Sequence, residues 1–145
     1  MGEIVAIWIK RAKGGVMDPV DEAELAAGRG IVGNANQGGR RQVTVIDEAA
    51  WNAACRDLGI DVPPSARRAN VMVRGLDLEQ TRGRILQLGN CRIRIWTETT
   101  PCYQMDEAQE GLRAALKPHW RAGVNGEILD DGVIRVGDGA QLLAE

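Results

Sequence analysis

Val124-Asn125-Gly126-Glu127-Ile128-Leu129-Asp130-Asp131-Gly132-Val133-Ile134-Arg135-Val136-Gly137-Asp138-Gly139-Ala140-Gln141-Leu142-Leu143 decides how the chain is read. Three short runs rich in apolar residues, 124–129, 133–136 and 140–143, are separated by Asp130-Asp131-Gly132 and Gly137-Asp138-Gly139. Asp-Gly between apolar runs is a strong hairpin signal, because the glycine takes the positive φ that a tight turn needs. This end of the chain therefore reads as antiparallel strands.

Working outward, Cys91–Thr97 alternates, with Ile93, Ile95 and Thr97 on one face and Arg92, Arg94 and Trp96 on the other. Arg84–Leu88 precedes it across a Gly89-Asn90 turn, and Asn70–Val73, Gln42–Ile46 and Ile4–Ile9 are further short strands. Two segments read as helices. The first follows Asp47, a good N-cap, and runs to about Leu58 before Gly59, with Ala50, Trp51, Ala54 and Leu58 on its apolar side. The second spans Gln104–Leu116, with Met105, Ala108, Leu112, Ala115 and Leu116 as its stripe and Gly111 weakening it. Ala-rich Glu22–Gly28 reads as one helical turn or a loop. Roughly eight short strands with glycine-rich turns and about two helices point to a mainly β fold, a barrel or a sandwich.

The composition agrees. Eighteen glycines favour many turns over a helical bundle. Phe is absent and Tyr103 is the sole tyrosine, so Trp8, Trp51, Trp96 and Trp120 carry nearly all the aromatic mass. A length of 145 residues suits one domain, residues 1–145. A formal charge of −2 argues against a nucleic-acid partner. The apolar stretch after Glu3 is too short for a signal peptide, and no run approaches the ~20 apolar residues of a membrane span. Cys55, Cys91 and Cys102 cannot all pair in one chain, lack CxxC spacing and meet one histidine, His119. Reduced thiols in a cytoplasmic protein are expected.

Cys102 stands out among the thiols. It follows a strand and Thr99-Thr100-Pro101, just ahead of the second helix, where backbone N–H groups carry positive partial charge that favours a thiolate. It can equally pack as a small hydrophobe. Cys55, inside a helix, and Cys91, at a strand start, read as structural. Gly30-Ile31-Val32-Gly33-Asn34-Ala35-Asn36-Gln37-Gly38-Gly39 leads into Arg40-Arg41, and clustered backbone amides beside arginines suit an anion. No Gly-Lys-Ser/Thr ending makes it a nucleotide-binding P-loop. Arg67-Arg68, followed by Asn70, is a second basic cluster. His119 reads as a surface residue, and alternation lets one of Arg40 and Arg41 face a pocket.

The ordered set resembles the MOSC family, the domain found at the C-terminus of molybdenum cofactor sulfurases. Gly30–Gly33 and Gly38–Asp47 resemble its glycine-rich segment, and Arg68-Ala69-Asn70-Val71-Met72-Val73-Arg74-Gly75 its Arg-x-Asn strand. Gly83-Arg84 with Leu88-Gly89 fits the next pair, Thr100-Pro101-Cys102 its cysteine segment, and Arg121–Gly126 with Ile134–Asp138 its C-terminal end. The resemblance implies a closed MOSC-type β-barrel and a role around molybdenum cofactor or sulfur transfer. It implies Cys102 as the key residue, with Arg41, Arg68 and Asn70 lining its pocket. Many relatives carry Gly-Asp-x-x-His in the first loop, where this chain has Gly33-Asn34-Ala35-Asn36-Gln37, amides in place of ionisable groups.

The leading expectation is a sulfur carrier or sulfurtransferase that holds a persulfide on Cys102, with no built-in cofactor. No lysine context suggests a resident pyridoxal phosphate, so a partner such as a cysteine desulfurase would supply the sulfur. A second reading makes Cys102 a molybdenum ligand in a molybdopterin-binding protein that reduces N-hydroxylated compounds, with Arg41 and Arg68 on the pterin phosphate. A third is a non-catalytic module for an anion or a partner protein.

Overall fold

A computed structural model describes residues 2–143. Met1, Ala144 and Glu145, part of the 1–145 span expected from the sequence, lie outside the described residues.

The chain is mainly β, as expected, and closes into a barrel. Seven strands form the ring: β1 (Gly2–Lys10), β5 (Val43–Asp47), β6 (Val71–Arg74), β7 (Ile85–Leu88), β8 (Cys91–Glu98), β9 (Val124–Ile128) and β11 (Gly139–Leu142). Their spatial order is β11-β7-β8-β9-β5-β6-β1, and β1 returns to β11 through Gly2↔Ala140 and Glu3↔Gly139. Closure leaves the ring without an exposed edge. Farther along the same strand, β1 pairs with β2 (Met17–Val20), which has no second neighbour among the described residues. An outer edge is where Pro19, lacking an N–H, is tolerated.

Three elements of the described residues depart from the sequence reading. Glu22–Ala26 forms β3, not a helical turn or loop, and pairs with β4 (Gly30–Ile31) and β10 (Gly132–Arg135) in a separate small sheet. Ala23 and Leu25 are buried between exposed Glu22 and Glu24, a period of two that tertiary pairing enforces over helical propensity. The expected helix over Gln104–Leu116 is broken into α2 (Tyr103–Ala108) and α3 (Leu112–Leu116). Gln109 is extended, and Gly111 takes φ 87°, a left-handed conformation that favours glycine. Of the expected stripe, Met105, Leu112 and Leu116 are buried and Ala108 is exposed. The third departure is β2, whose proline hid it.

β5 and β6 are parallel, and parallel neighbours need a crossover. Helix α1 (Glu48–Leu58) begins it. Asp47 caps α1 by accepting from the Ala49 N–H at 3.2 Å, and Gly59 ends it at φ 70°. Burial holds the Asp47 carboxyl above its usual range, against the lowering by its helix N–H bonds. β5 is buried on both faces, as a strand covered by a helix must be. Val43 and Val45 face a barrel core with Ile4, Ile7, Leu86, Ile93 and Val124. Outside the ring, Trp51 packs with Met105, Leu112 and Leu116, and its indole N–H donates to Val62 O at 2.9 Å. No helix of the described residues is long and apolar enough to cross a membrane.

Gly123 shows how tightly the ring meets the helical side. It sits at φ 92°, and a Cβ would collide with the Val45 carbonyl oxygen and lie 2.8 Å from Ile46 Cγ2. Gly123→Ala is therefore expected to lose about 2–4 kcal/mol in urea unfolding, from strain and overpacking together. Gly137→Ala places the same left-handed demand (φ 97°) in open space and should lose only about 1 kcal/mol.

Candidate functional site

β8 delivers its C-terminal end to the helical side of the barrel. Thr99 is buried and donates its N–H to Gly123 O at 2.8 Å, which fixes the following Thr100-Pro101-Cys102. Cys102 is the N-cap of α2, half-buried, with its Sγ 3.7 Å from Gln104 Oε1. α2 is six residues long, so the surrounding charge comes from side chains more than from a helix dipole.

Cys102 lines a cleft of about 130 Å³ together with Lys10, Asn34, Asn36, Arg41, Thr44, Arg67, Arg68, Asn70, Thr100 and Gln104. Met17 and Met105 complete it. Four side chains are cationic and none is a carboxylate, among the described residues. The cleft is built for negative charge.

Each cation is placed by a different device. Arg67 ends a 3-10 turn that starts at Pro64, and it is 5% exposed. Its Nε donates to Ala122 O at 2.8 Å, while its Nη2 is buried without a partner among the described residues. Burial, then the neighbouring Arg41 charge, lowers the Arg67 pKa to about 10, with Cys102 acting in the opposite direction. Arg68 follows in left-handed backbone (φ 63°) and donates to the Gly15 carbonyl. Lys10 ends β1, and its pKa is lowered by burial first and then by Arg68, Arg41 and Lys13. Arg41 faces the cleft, whereas Arg40 turns away onto the Trp96 ring, 4.0 Å from its centroid.

The floor is a buried amide network. Asn70 Oδ1 accepts from Thr44 N–H at 3.1 Å and from its hydroxyl at 3.2 Å, and Asn70 Nδ2 donates to Asn34 Oδ1 at 3.2 Å. Asn34 Oδ1 also accepts from the Lys10 N–H at 2.8 Å. Gln37 is spent inside its own loop, donating to Ile31 O and Asn34 O, both at 2.9 Å.

A family model for the MOSC domain matches residues 32–141. The chain belongs to the MOSC family. Among solved structures, it is similar to the YUAD protein from Bacillus subtilis, at 21% identity and TM-score 0.82 over 97% of this chain and 94% of that one. YiiM from Geobacillus stearothermophilus is similar at 16% identity and TM-score 0.75, over 99% of this chain and 76% of that one. YiiM from Escherichia coli is similar at 16% and 0.72, over 99% and 70%. No curated protein matches the chain. The MOSC family is linked to molybdenum cofactor sulfurases and to chemistry around that cofactor.

In this MOSC domain Cys102, Arg41, Arg68 and Asn70, the residues singled out from sequence, share one cleft. Asn70 is its structural floor, and Arg68 spends one N–H on Gly15. Lys10 belongs to the same cleft and was not singled out, while Arg67 was read only as one half of a basic pair and Asn34 only as a loop amide. The signal that separates Arg67 from Arg68 is Pro63-Pro64, since the 3-10 turn begun at Pro64 ends at Arg67 and leaves Arg68 in left-handed backbone. His119 lies outside the cleft, exposed and 3.1 Å from Glu79 Oε2. Cys55 and Cys91 are buried in the two cores, and burial, then Asp130, raises the Cys91 pKa.

An anion should stabilise this MOSC domain. Sulfate at ~100 times its dissociation constant should add about 2.7 kcal/mol and raise Tm. Arg67→Met should fold and lose that rise. Affinity needs Lys10 charged, so it should fall as pH climbs through the lowered Lys10 pKa, earlier than an ordinary lysine would allow.

Proposed function

We propose that this protein is a sulfur carrier that holds sulfane sulfur on Cys102 and hands it to an anionic acceptor in molybdenum-cofactor or metal–sulfur metabolism. The observation that carries this reading is a thiol in a small cleft whose charged side chains are all cations, one of them a buried guanidinium with a free N–H.

The chemistry balances without an added oxidant. The Cys102 thiolate attacks the terminal sulfur of a donor persulfide. A new S–S bond forms at Cys102, the donor S–S bond breaks, and the donor leaves as a thiolate. A persulfide ionises more readily than its thiol, so the product is an anion beside Arg67 and Arg41. An acceptor nucleophile then takes the terminal sulfur, the S–S bond breaks, and the electron pair returns to Cys102 as thiolate. The donor is a separate protein, a cysteine desulfurase in chemical class, and the setting is the cytoplasm, where thiols stay reduced.

A second reading rests on the same orphaned Arg67 N–H. The donor set fits the molybdenum cofactor: Cys102 offers a soft thiolate ligand, and Arg41, Arg67 and Arg68 offer charge-assisted hydrogen bonds to a phosphate. When bound, the cofactor would supply redox chemistry at its metal. The loop amides Asn34 and Asn36 line the cleft without a carboxylate or imidazole, so a proton would have to be held elsewhere.

Sulfur uptake separates the thiols. After incubation with a cysteine desulfurase and cysteine, intact-mass spectrometry should find added sulfur on wild type, Cys55→Ala and Cys91→Ala, and none on Cys102→Ala. Uptake by Cys102→Ala equal to wild type would sink the carrier reading. Molybdenum and pterin co-purifying with wild type and lost in Cys102→Ser would establish the second reading instead.

A further inference from the structure

Cys102 is half-buried, so a persulfide carried by another protein reaches it only if that protein docks at the mouth of the cleft. The aromatic residues mark where. Trp8 and Trp51 are buried, and Trp120 packs half-buried against the barrel core. Only Tyr103 and Trp96 are exposed, at 64% and 44%. Both stand beside Cys102. Tyr103 is the next residue along the chain, and Trp96 lines an adjoining cleft that shares Arg41 and Thr100 with the first. The β8–β9 register shifts between Ile95 and Thr97, which places Trp96 at a β-bulge. Bulges re-aim side chains and gather beside functional sites. The Arg40 guanidinium lies over the ring, 4.0 Å from its centroid, and so orders the anchor in advance.

Charge is gathered at the same place. Arg94 is exposed two residues before Trp96 on the outward face of β8, and Arg82 donates to Thr97 Oγ1 at 2.9 Å. Neither these two nor Arg40 forms an ion pair among the described residues, whereas Arg92, farther along the face, is held by Asp130 at 2.8 Å. Glu98 and Glu127 flank the three arginines but are half-buried, so the exposed charges of this part of the face are cations. The whole chain carries −2, which makes the face a local feature. Exposed Trp and Tyr among arginines is the composition of protein-interface hot spots. Unpaired cations at such a face select an acidic partner and speed its encounter. A nucleic acid fits an overall acidic chain less well.

We propose that Trp96 and Tyr103, with Arg40, Arg82 and Arg94, form the docking face for the sulfur-donor protein, whose own facing surface is acidic. Docking there sets the donor's persulfide at the Cys102 cleft. The inference rests on the carrier function proposed above and adds the surface chemistry of its donor; the transfer step is unchanged.

The test is biolayer interferometry of the intact chain against each cysteine desulfurase encoded in the same genome. At least one should bind wild type and Cys102→Ala alike, and more weakly as salt rises from about 0.05 to 0.3 M. Trp96→Ala and Arg94→Glu, both at exposed positions, should each weaken that binding about tenfold or more. Arg56→Glu, the same charge change on α1 and outside both clefts, should alter it less than about twofold. Sulfur uptake is the second readout. Glutathione persulfide needs no docking face, so Trp96→Ala and Arg94→Glu should take sulfur from it at the wild-type rate and from the desulfurase about tenfold more slowly. Undiminished desulfurase binding by both variants, or no desulfurase binding at all, would overturn the docking face. Dimerisation that Trp96→Ala abolishes would assign the face to a second copy of the chain, and salt-sensitive DNA binding lost in Arg94→Glu would assign it to a nucleic acid; either overturns donor docking. The two readings fail separately. Docking with no sulfur on Cys102 would sink the carrier and keep the face, and uptake without docking would do the reverse.

Discussion

Thr44 and Asn70 face each other across the junction of β5 and β6 and exchange hydrogen bonds from both side chains and both backbones. The Asn70 N–H donates to Thr44 O at 3.0 Å, the Thr44 N–H donates to Asn70 Oδ1, and the Asn70 amide reaches on to Asn34 and to Trp8 O at 3.3 Å. Four segments are thereby tied at one buried point: β5, β6, the end of β1 and the glycine-rich loop. Satisfied buried polar networks specify a single arrangement, because every member left unpaired would cost about 1–3 kcal/mol. The cleft stands on this point. The network ties the Lys10 end of β1 and the glycine-rich loop to β5 and β6.

Around that floor the protein gathers like charges. Lys10, Arg41, Arg67 and Arg68 repel one another, and burial adds to the cost, as the lowered pKa values of Lys10 and Arg67 record. A buried guanidinium N–H without an acceptor costs further stability. The barrel core carries this expense, with its aliphatic side chains almost fully withdrawn from water. Strain of this kind concentrates at ligand sites, where the ligand supplies the missing charge and acceptors. The helical side has a corresponding role. α2 and α3, separated at Gln109–Gly111, fold Met105 and Leu112 onto Trp51, and Cys102 stands at the rim as the N-cap of α2.

The legibility of the chain followed the range of the forces involved. β8 was readable because alternation is local, and α1 because Asp47 and Gly59 mark its ends. Glu22–Ala26 was misread because its Glu, Ala and Leu favour a helix in isolation, and only pairing with β10 and β4 makes it a strand. The second helix was read through Gly111 because its stripe continues at helical spacing. The break is the extended Gln109 with Gly111 in left-handed backbone, which apolar spacing does not record.

The same division holds for the site. The sequence by itself determined a mainly β fold and a family, because hairpin turns, periodic apolar residues and an ordered set of motifs are written along the chain, and it pointed to one cysteine. It also named Arg41, Arg68 and Asn70 as neighbours of that cysteine. Only the tertiary structure decided that Arg67 is buried in the wall of the Cys102 cleft, that Arg40 leaves the cleft for Trp96, and that Asn34 serves the floor. Those outcomes depend on a 3-10 turn, a bulge and a buried amide network. Each is set by contacts between segments apart in sequence: Arg67 on Ala122, Asn70 on Thr44 and Asn34, and Arg40 on Trp96.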